Sequence, residues 1–401
     1  MNKQFLLMAL FTVGIVVPAW SQEVNHFNRP VGKCDPSTGH CVSTIVFSSS
    51  RDHANLRPID ALARSEIYRI SLNDDGTPNI DTLTRLTENA VGVYGLFGGN
   101  IMAKLSPDGK KIVFDSNRDR TPSEPLNTSD LFLMKADGRN QTRLTRGSSA
   151  TWSPNGKYIA FHASASGNTC PVSFPPPLPG IPGCPIKLDG GAATWDSDIF
   201  IMRVPDDEND FVEPPINITN TPWYIEDDAD WSPDGTQIVF TRHPVTDLTP
   251  ETGPFGGTLF VSNRTEICKL TLATLNVECV TSNDQEERAP AWSPDGKKIA
   301  YMCRNYPFNP RFEICVMNAD GTGQTQLTNN AVLDATPTWS PDGQRLVFAN
   351  GPTMQAQLWI MRADGTDKTQ IVIPPIVPGA SPGANVDPGW GQLWVGGRRQ
   401  D

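Results

Sequence analysis

The chain has 401 residues, with 33 glycines, 36 prolines, 38% apolar side chains and a formal net charge of −11. That apolar share excludes a disordered chain, and the many turn formers fit a turn-rich β protein. The acidic balance excludes a phosphate-backbone partner, which needs a basic face, so no nucleic acid is expected.

Residues 1–21 read as an export signal peptide. Lys3 supplies the positive end, Phe5 to Val17 the apolar stretch, and Ala19-Trp20-Ser21 a small-x-small cleavage site. The apolar run is too short to anchor the chain, and no later stretch could span a bilayer as a helix. Residues 22–42 form an N-terminal extension carrying Cys34 and Cys41. "STIVFSSSRD" (43–52) matches "KKIVFDSNRD" (110–119), so the first strand has the character of the second strand of a repeat. "SEIYRISLNDDG" (65–76) and "LTRLT" (83–87) supply a third and fourth strand, and "IDALARS" (59–65) reads as a helical turn within a loop.

One turn is then written five times: "LSPDGKKIVF" (105–114), "WSPNGKYIAF" (152–161), "WSPDGTQIVF" (231–240), "WSPDGKKIAY" (292–301) and "WSPDGQRLVF" (339–348). Proline presets the first turn torsion, aspartate bonds nearby amides, and glycine accepts positive φ as the chain re-enters a strand. Ala-Asp-Gly at 136–138, 319–321 and 363–365 repeats the device between the third and fourth strands. The run Ile238-Val239-Phe240 is apolar on consecutive positions, which implies a strand buried on both faces. The turn serines at 106, 153, 232, 293 and 340 are 47, 79, 61 and 47 residues apart, a unit near 47 residues with two insertions. At the far end "NVDPGWGQ" (385–392) matches "DATPTWSP" (334–341) and supplies a lone first strand, which should pair with the strand at 43–52 and close a ring. Residues 396–401 are a tail.

The repeat "WSPDGKKIAY…EICVMNADGTGQTQLT" resembles that of the TolB-type propellers, a WD-like repeat of exported bacterial proteins, over about residues 43 to 395. The resemblance implies an all-β, six-bladed β-propeller of four-stranded antiparallel blades. One departure stands out: TolB carries an α/β domain before its propeller, used in envelope-spanning contacts. Here about 21 residues separate the cleavage site from the first strand, so a Tol–Pal role is not carried over.

The eight cysteines fall into near neighbours: Cys34 with Cys41, Cys170 with Cys184, Cys268 with Cys279, and Cys303 with Cys315. In an exported chain an even count reads as disulfides, here with local connectivity favoured. The repeated turns should build one face as scaffold. The long connections on the other face, including the proline-rich stretch 170–185, are where binding sites tend to lie, or serve as a lid. The connections into the first strands ring the tunnel mouth with Glu226, Asp227, Asp228, Asp230, Glu286, Glu287, Arg288, Asp334 and Asp387. Such converging acids are hydrated, paired, or neutralised by a hard cation such as Ca²⁺, although no cofactor is demanded. His53, His162 and His243 belong to the same face. No H-x-x-x-H or G-x-S-x-G motif occurs. The expected role is therefore non-catalytic binding of an envelope or extracellular protein, peptide or glycan, in a periplasmic or secreted location. The alternative is a metal-dependent hydrolase or lyase at the tunnel mouth.

Overall fold

Each Ser-Pro-Asp/Asn-Gly word closes a tight turn whose first residue is a hydrogen-bonding hub. Ser293 Oγ donates to Asp295 Oδ1 at 2.7 Å and accepts from the Lys298 amide at 2.9 Å, and the other four serines repeat both kinds of bond. These turns link strands in a computed structural model that describes residues 40–51, 65–73, 76–88, 99–119, 129–164, 197–206, 210, 212–221, 224–244, 248–252, 258–262, 264–304, 311–352, 355–374 and 384–395. The expected signal peptide, Cys34, His53, the 59–64 part of the helical turn, and the 170–185 loop with its two cysteines lie outside the described residues.

The chain runs β1 (His40–Ser49), β2 (Glu66–Leu72), β3 (Pro78–Arg85), β4 (Asn100–Leu105), β5 (Lys111–Ser116), β6 (Asp130–Lys135) and β7 (Thr142–Arg146). Next come β8 (Ser148–Trp152), β9 (Tyr158–Ser164), β10 (Ser197–Arg203), β11 (Ile216–Asn217), β12 (Tyr224–Trp231), β13 (Gln237–Pro244), β14 (Leu248–Thr252), β15 (Thr258–Ser262), β16 (Glu266–Thr271) and β17 (Asn276–Cys279). The last third holds β18 (Glu286–Trp292), β19 (Lys298–Arg304), β20 (Glu313–Asn318), β21 (Thr325–Gln326), β22 (Leu333–Trp339), β23 (Arg345–Gly351), β24 (Gln357–Arg362), β25 (Thr369–Gln370) and β26 (Asn385–Val395).

Four sheets have four strands each, in the orders β26-β1-β2-β3, β4-β5-β6-β7, β18-β19-β20-β21 and β22-β23-β24-β25. This is an all-β propeller of antiparallel four-stranded sheets. The expectation of six separate blades is not met as such. β8 to β13, β16 and β17 form one eight-stranded sheet, and β14 and β15 pair by themselves. The merger has one physical cause, a parallel bridge between Ser197 at the head of β10 and Ile225 in β12. Parallel bridges of the same kind, Ser65–Gly99 and Thr265–Glu286, touch between sheets elsewhere without joining them.

The predicted pairing of the chain ends is present: β26 runs antiparallel to β1, with Trp390 opposite Ile45 and Gly389 opposite Val46. β4, β8, β12, β18, β22 and β26 are the inner strands. Each touches the next, and β26 touches β4, so the series closes on itself. Between successive sheets lie apolar layers. Ile238 and Phe240 pack with Trp231 and Ile199 on one side of β13, while Val239 packs with Trp292 and Tyr301 on the other. The consecutive apolar run is thus explained by two buried faces. Val347 and Leu358 pack with Ile45, Phe47 and Tyr68, so the seam is sealed by the same kind of layer. A disulfide joins Cys268 to Cys279 across β16 and β17, and another joins Cys303 to Cys315 across β19 and β20. Among the described residues no helix is long and apolar enough to cross a membrane.

Candidate functional site

The inner strands share a feature that periodicity did not reveal. Each carries a β-bulge, and one residue of the bulge has positive φ: Met102 (54°), Ser149 (54°), Asp228 (51°), Ala289 (48°), Thr336 (50°) and Asp387 (51°). Each stands three residues before Leu105 or the strand's tryptophan. A bulge bends the strand and re-aims its side chains. Aspartate tolerates this conformation better than most residues, and two of the six positions hold one.

Asp228 is the hub of a charged cluster. Its charge acts on Asp227, Asp387, Asp115, Lys104, His162 and Arg288. Burial pushes Asp227 up to about 8, helped by Asp228 and opposed by Arg288. Burial also raises Asp387 to about 6 against the pull of Lys104. Asp115 rises to about 7 by burial, although it accepts bonds from the Ser148 hydroxyl and the Ser149 amide. Lys104 is lowered by burial, partly offset by Asp230, Asp387 and Asp228, and its ammonium donates to the Pro388 carbonyl at 3.2 Å. His243 is fully buried and held well below its ordinary value by burial and by Arg288. Its Nε2 and Arg288 Nη1 each stand 4.0 Å from Asp227 Oδ2, while Asp227 Oδ1 and both His243 ring nitrogens make no hydrogen bond.

The other predicted residues are placed differently. Asp230 ties three inner strands together, accepting from Thr151 Oγ1 at 2.9 Å and from the Trp292 amide at 2.8 Å. Glu286 is clasped by Arg288 Nε at 2.7 Å and by Arg304. Asp334 accepts from Asn330 and Asn350 side chains. Glu287 accepts from Asn283 at 2.8 Å, keeps Oε2 unbonded, and is raised to about 7 by burial. His162 is buried and lowered by burial, with Asp228 opposing. The structure therefore gathers Asp227, Asp228, Asp387, Arg288 and His243, adds Lys104 and Asp115, and spends Asp230, Glu286 and Asp334 on holding strands. The expected acids and Arg288 lie on the inner strands themselves rather than in the connections before them, and Lys104 and Asp115, on β4 and β5, carry no spacing that marks them in the sequence. Among the described residues no group of three or more His, Cys, Asp or Glu side chains could hold a metal ion. Chemically, the cluster can hold protons and receive a polar or cationic group.

A second acid set is structural. Thr87, Thr281 and Thr328 donate their hydroxyls to Glu66, Glu266 and Glu313 at the heads of β2, β16 and β20, while accepting from the amides of Ile67, Ile267 and Ile314. The signal was readable as a Glu-Ile pair answered by the threonine after the fourth strand.

Residues 248–377 match the family described as TolB beta propeller domain. TolB from Acinetobacter baumannii superposes with a TM-score of 0.56 at 18% identity, covering 87% of this chain and 66% of that one. Kuenenia stuttgartiensis hydrazine synthase superposes at 0.55 and 12% identity, covering 94% of this chain and 50% of that one. Among curated relatives, a probable dipeptidyl-peptidase 5 of Arthroderma benhamiae is 34% identical over 103 residues. That alignment takes in 22% of this chain and 14% of the relative's own length. The fold is thus that of a TolB-like β-propeller.

Proposed function

We propose that this chain is an exported, six-bladed propeller that binds a protein, peptide or glycan at the inner end of its ring without catalysis. The count of six treats the eight-stranded sheet as two antiparallel quartets, β8-β9-β10-β11 and β12-β13-β16-β17. Support comes from the single bridge that joins them and from the six bulged inner strands. Export, to the periplasm or beyond, is supported by the signal-like residues 1–21 and by two disulfides, which persist in oxidising compartments.

The observation that carries the binding reading is the charged cluster of Asp227, Asp228, Asp387, Lys104 and Arg288 around the ring's inner strands. Sheets from several parts of the chain converge there, and such crossings are where rigid frames present ligand groups. The reading requires no cofactor. A Ca²⁺ ion at the acidic mouth is an accessory proposal, tested by calorimetric titration of Ca²⁺ at pH 7, and absence of saturable heat removes it. The binding test is a glycan and peptide array probed with the full chain and with its Asp227→Asn/Asp228→Asn/Asp387→Asn variant. Ligands held by the first and lost by the folded second support the reading. Equal binding by both removes the cluster from the site, and turnover of a bound ligand would favour a hydrolase or lyase.

A further inference from the structure

The segments "SSSRD" and "DSNRD" place Arg51 and Arg118 at equivalent points after β1 and β5, and several of their neighbours correspond. Arg118 lies over Phe132 at 4.8 Å and Arg51 over the equivalent Tyr68 at 5.3 Å. Beside Arg118 stands Asn100, whose amide donates to Glu66 at 2.7 Å; beside Arg51 stands Asn385, whose amide donates to Gln357 at 2.8 Å. One member differs. Where Arg118 has the carboxylate of Glu66 favouring its charge, Arg51 has a neutral carboxamide.

The consequence shows in the donors. Arg118 uses Nε on Ser116 at 3.0 Å, Nη2 on Asn100 at 2.7 Å and Nη1 on Gln141. The serine equivalent to Ser116 is Ser49, and its hydroxyl turns to Asn385 at 2.7 Å instead. Arg51 keeps only Nη2 engaged, on the Pro374 carbonyl, while Nε and Nη1 are buried without any hydrogen-bond partner. The side chain belongs to a residue only 6% exposed. Guanidinium keeps its charge in proteins, so a cation sits in the seam with two bare donors and, among the described residues, no carboxylate bonded to it. Buried charges are ordinarily paired, because desolvation without a partner costs heavily.

We propose that Arg51 anchors an anion site at the seam between β1 and the β22–β25 sheet, and that the site receives a ligand carboxylate. Carboxylate is the class the chain itself sets near the equivalent place, where the charge of Glu66, bonded to Arg85, Thr87 and Asn100, favours that of Arg118. The site is separate from the Asp227–Asp387 cluster and stands or falls without it.

The test uses sodium acetate as probe on the full chain at pH 7, with sodium chloride at equal ionic strength as reference. Acetate should raise Tm over chloride by roughly 2 °C or more at saturation. Gln357→Glu restores the missing carboxylate, so it should raise Tm in chloride and abolish the acetate increment. Asp227→Asn/Asp387→Asn should keep the increment. If Gln357→Glu fails to fold, the Arg51 Nε–H resonance of the unaltered chain serves instead, and it should shift saturably with acetate. The proposal is overturned if acetate and chloride act alike, if the Nε–H signal does not move, or if inorganic phosphate protects where acetate does not.

Discussion

Gly321 shows how much a single residue of the repeat can carry. It sits at φ +85°, and a Cβ there would lie 2.0 Å from the Val280 carbonyl oxygen of the preceding sheet. Gly138 against Leu86 and Gly365 against Leu327 repeat the approach at 2.7 and 3.1 Å. Gly321→Ala should therefore cost about 1–3 kcal/mol or more, read as a fall in the urea midpoint at unchanged slope. Gly156→Ala, with nothing nearer than 3.8 Å, should cost only the torsional part, about 1 kcal/mol. The sequence announces the positive φ of these glycines, because Asp-Gly turns demand it. It does not announce the neighbour's carbonyl, since that contact joins residues some 40 positions apart. The buried role of Lys104 was hidden for a related reason: it is spaced like any strand residue, and only ring closure brings Asp387 to it.

At the scale of the strand, the tryptophans do more than fill space. Trp152 Nε1 donates to the Lys104 carbonyl and Trp339 Nε1 to the Ala291 carbonyl, both at 3.0 Å, so each ring staples its strand to the previous inner strand. Trp339→Phe should lose that bond and part of the packing, about 1–3 kcal/mol in chemical denaturation. The pattern of alternating words made strands and turns legible, and the consecutive apolar triplets made their double burial legible. Bulges were not legible: Met102, Ser149 and Ala289 have no chemistry in common, so only the backbone reveals that they stand in the same place. The disulfide between β16 and β17 closes a separation of 11 residues, worth about 3 kcal/mol in the chain-entropy model. Cys268→Ala/Cys279→Ala should lower the unfolding free energy by about that amount without altering the sheet signal in circular dichroism.

For the whole molecule, the buried acids set the pH response. Asp115, Asp227, Asp387 and Glu287 have folded values raised to about 7, 8, 6 and 7. Above the ordinary carboxyl range the folded state then holds more protons than the unfolded one, so stability falls as pH rises through the folded values and levels off beyond them. His162 and His243, buried neutral, act the other way, but only below their ordinary value of 6.5. The net fall should therefore be clearest between about pH 6.5 and 8, measured as a declining urea midpoint. Asp115→Asn, which keeps the shape and removes one titrating group, should flatten that slope. A rising midpoint across the same window would contradict the assignment of protons to the ring's interior.

The seam between β26 and β1 has a kinetic meaning as well. The innermost partner of β1 leaves a ribosome only after β2 to β25 have done so. Until it arrives, β1 offers one bare edge and the layer around Ile45 and Phe47 lacks a wall, so the circle stays unlatched while β2 to β25 are made. A chain of this design becomes resistant only once β26 has docked on β1. Its longevity afterwards is governed by how rarely those eleven residues of β26 let go.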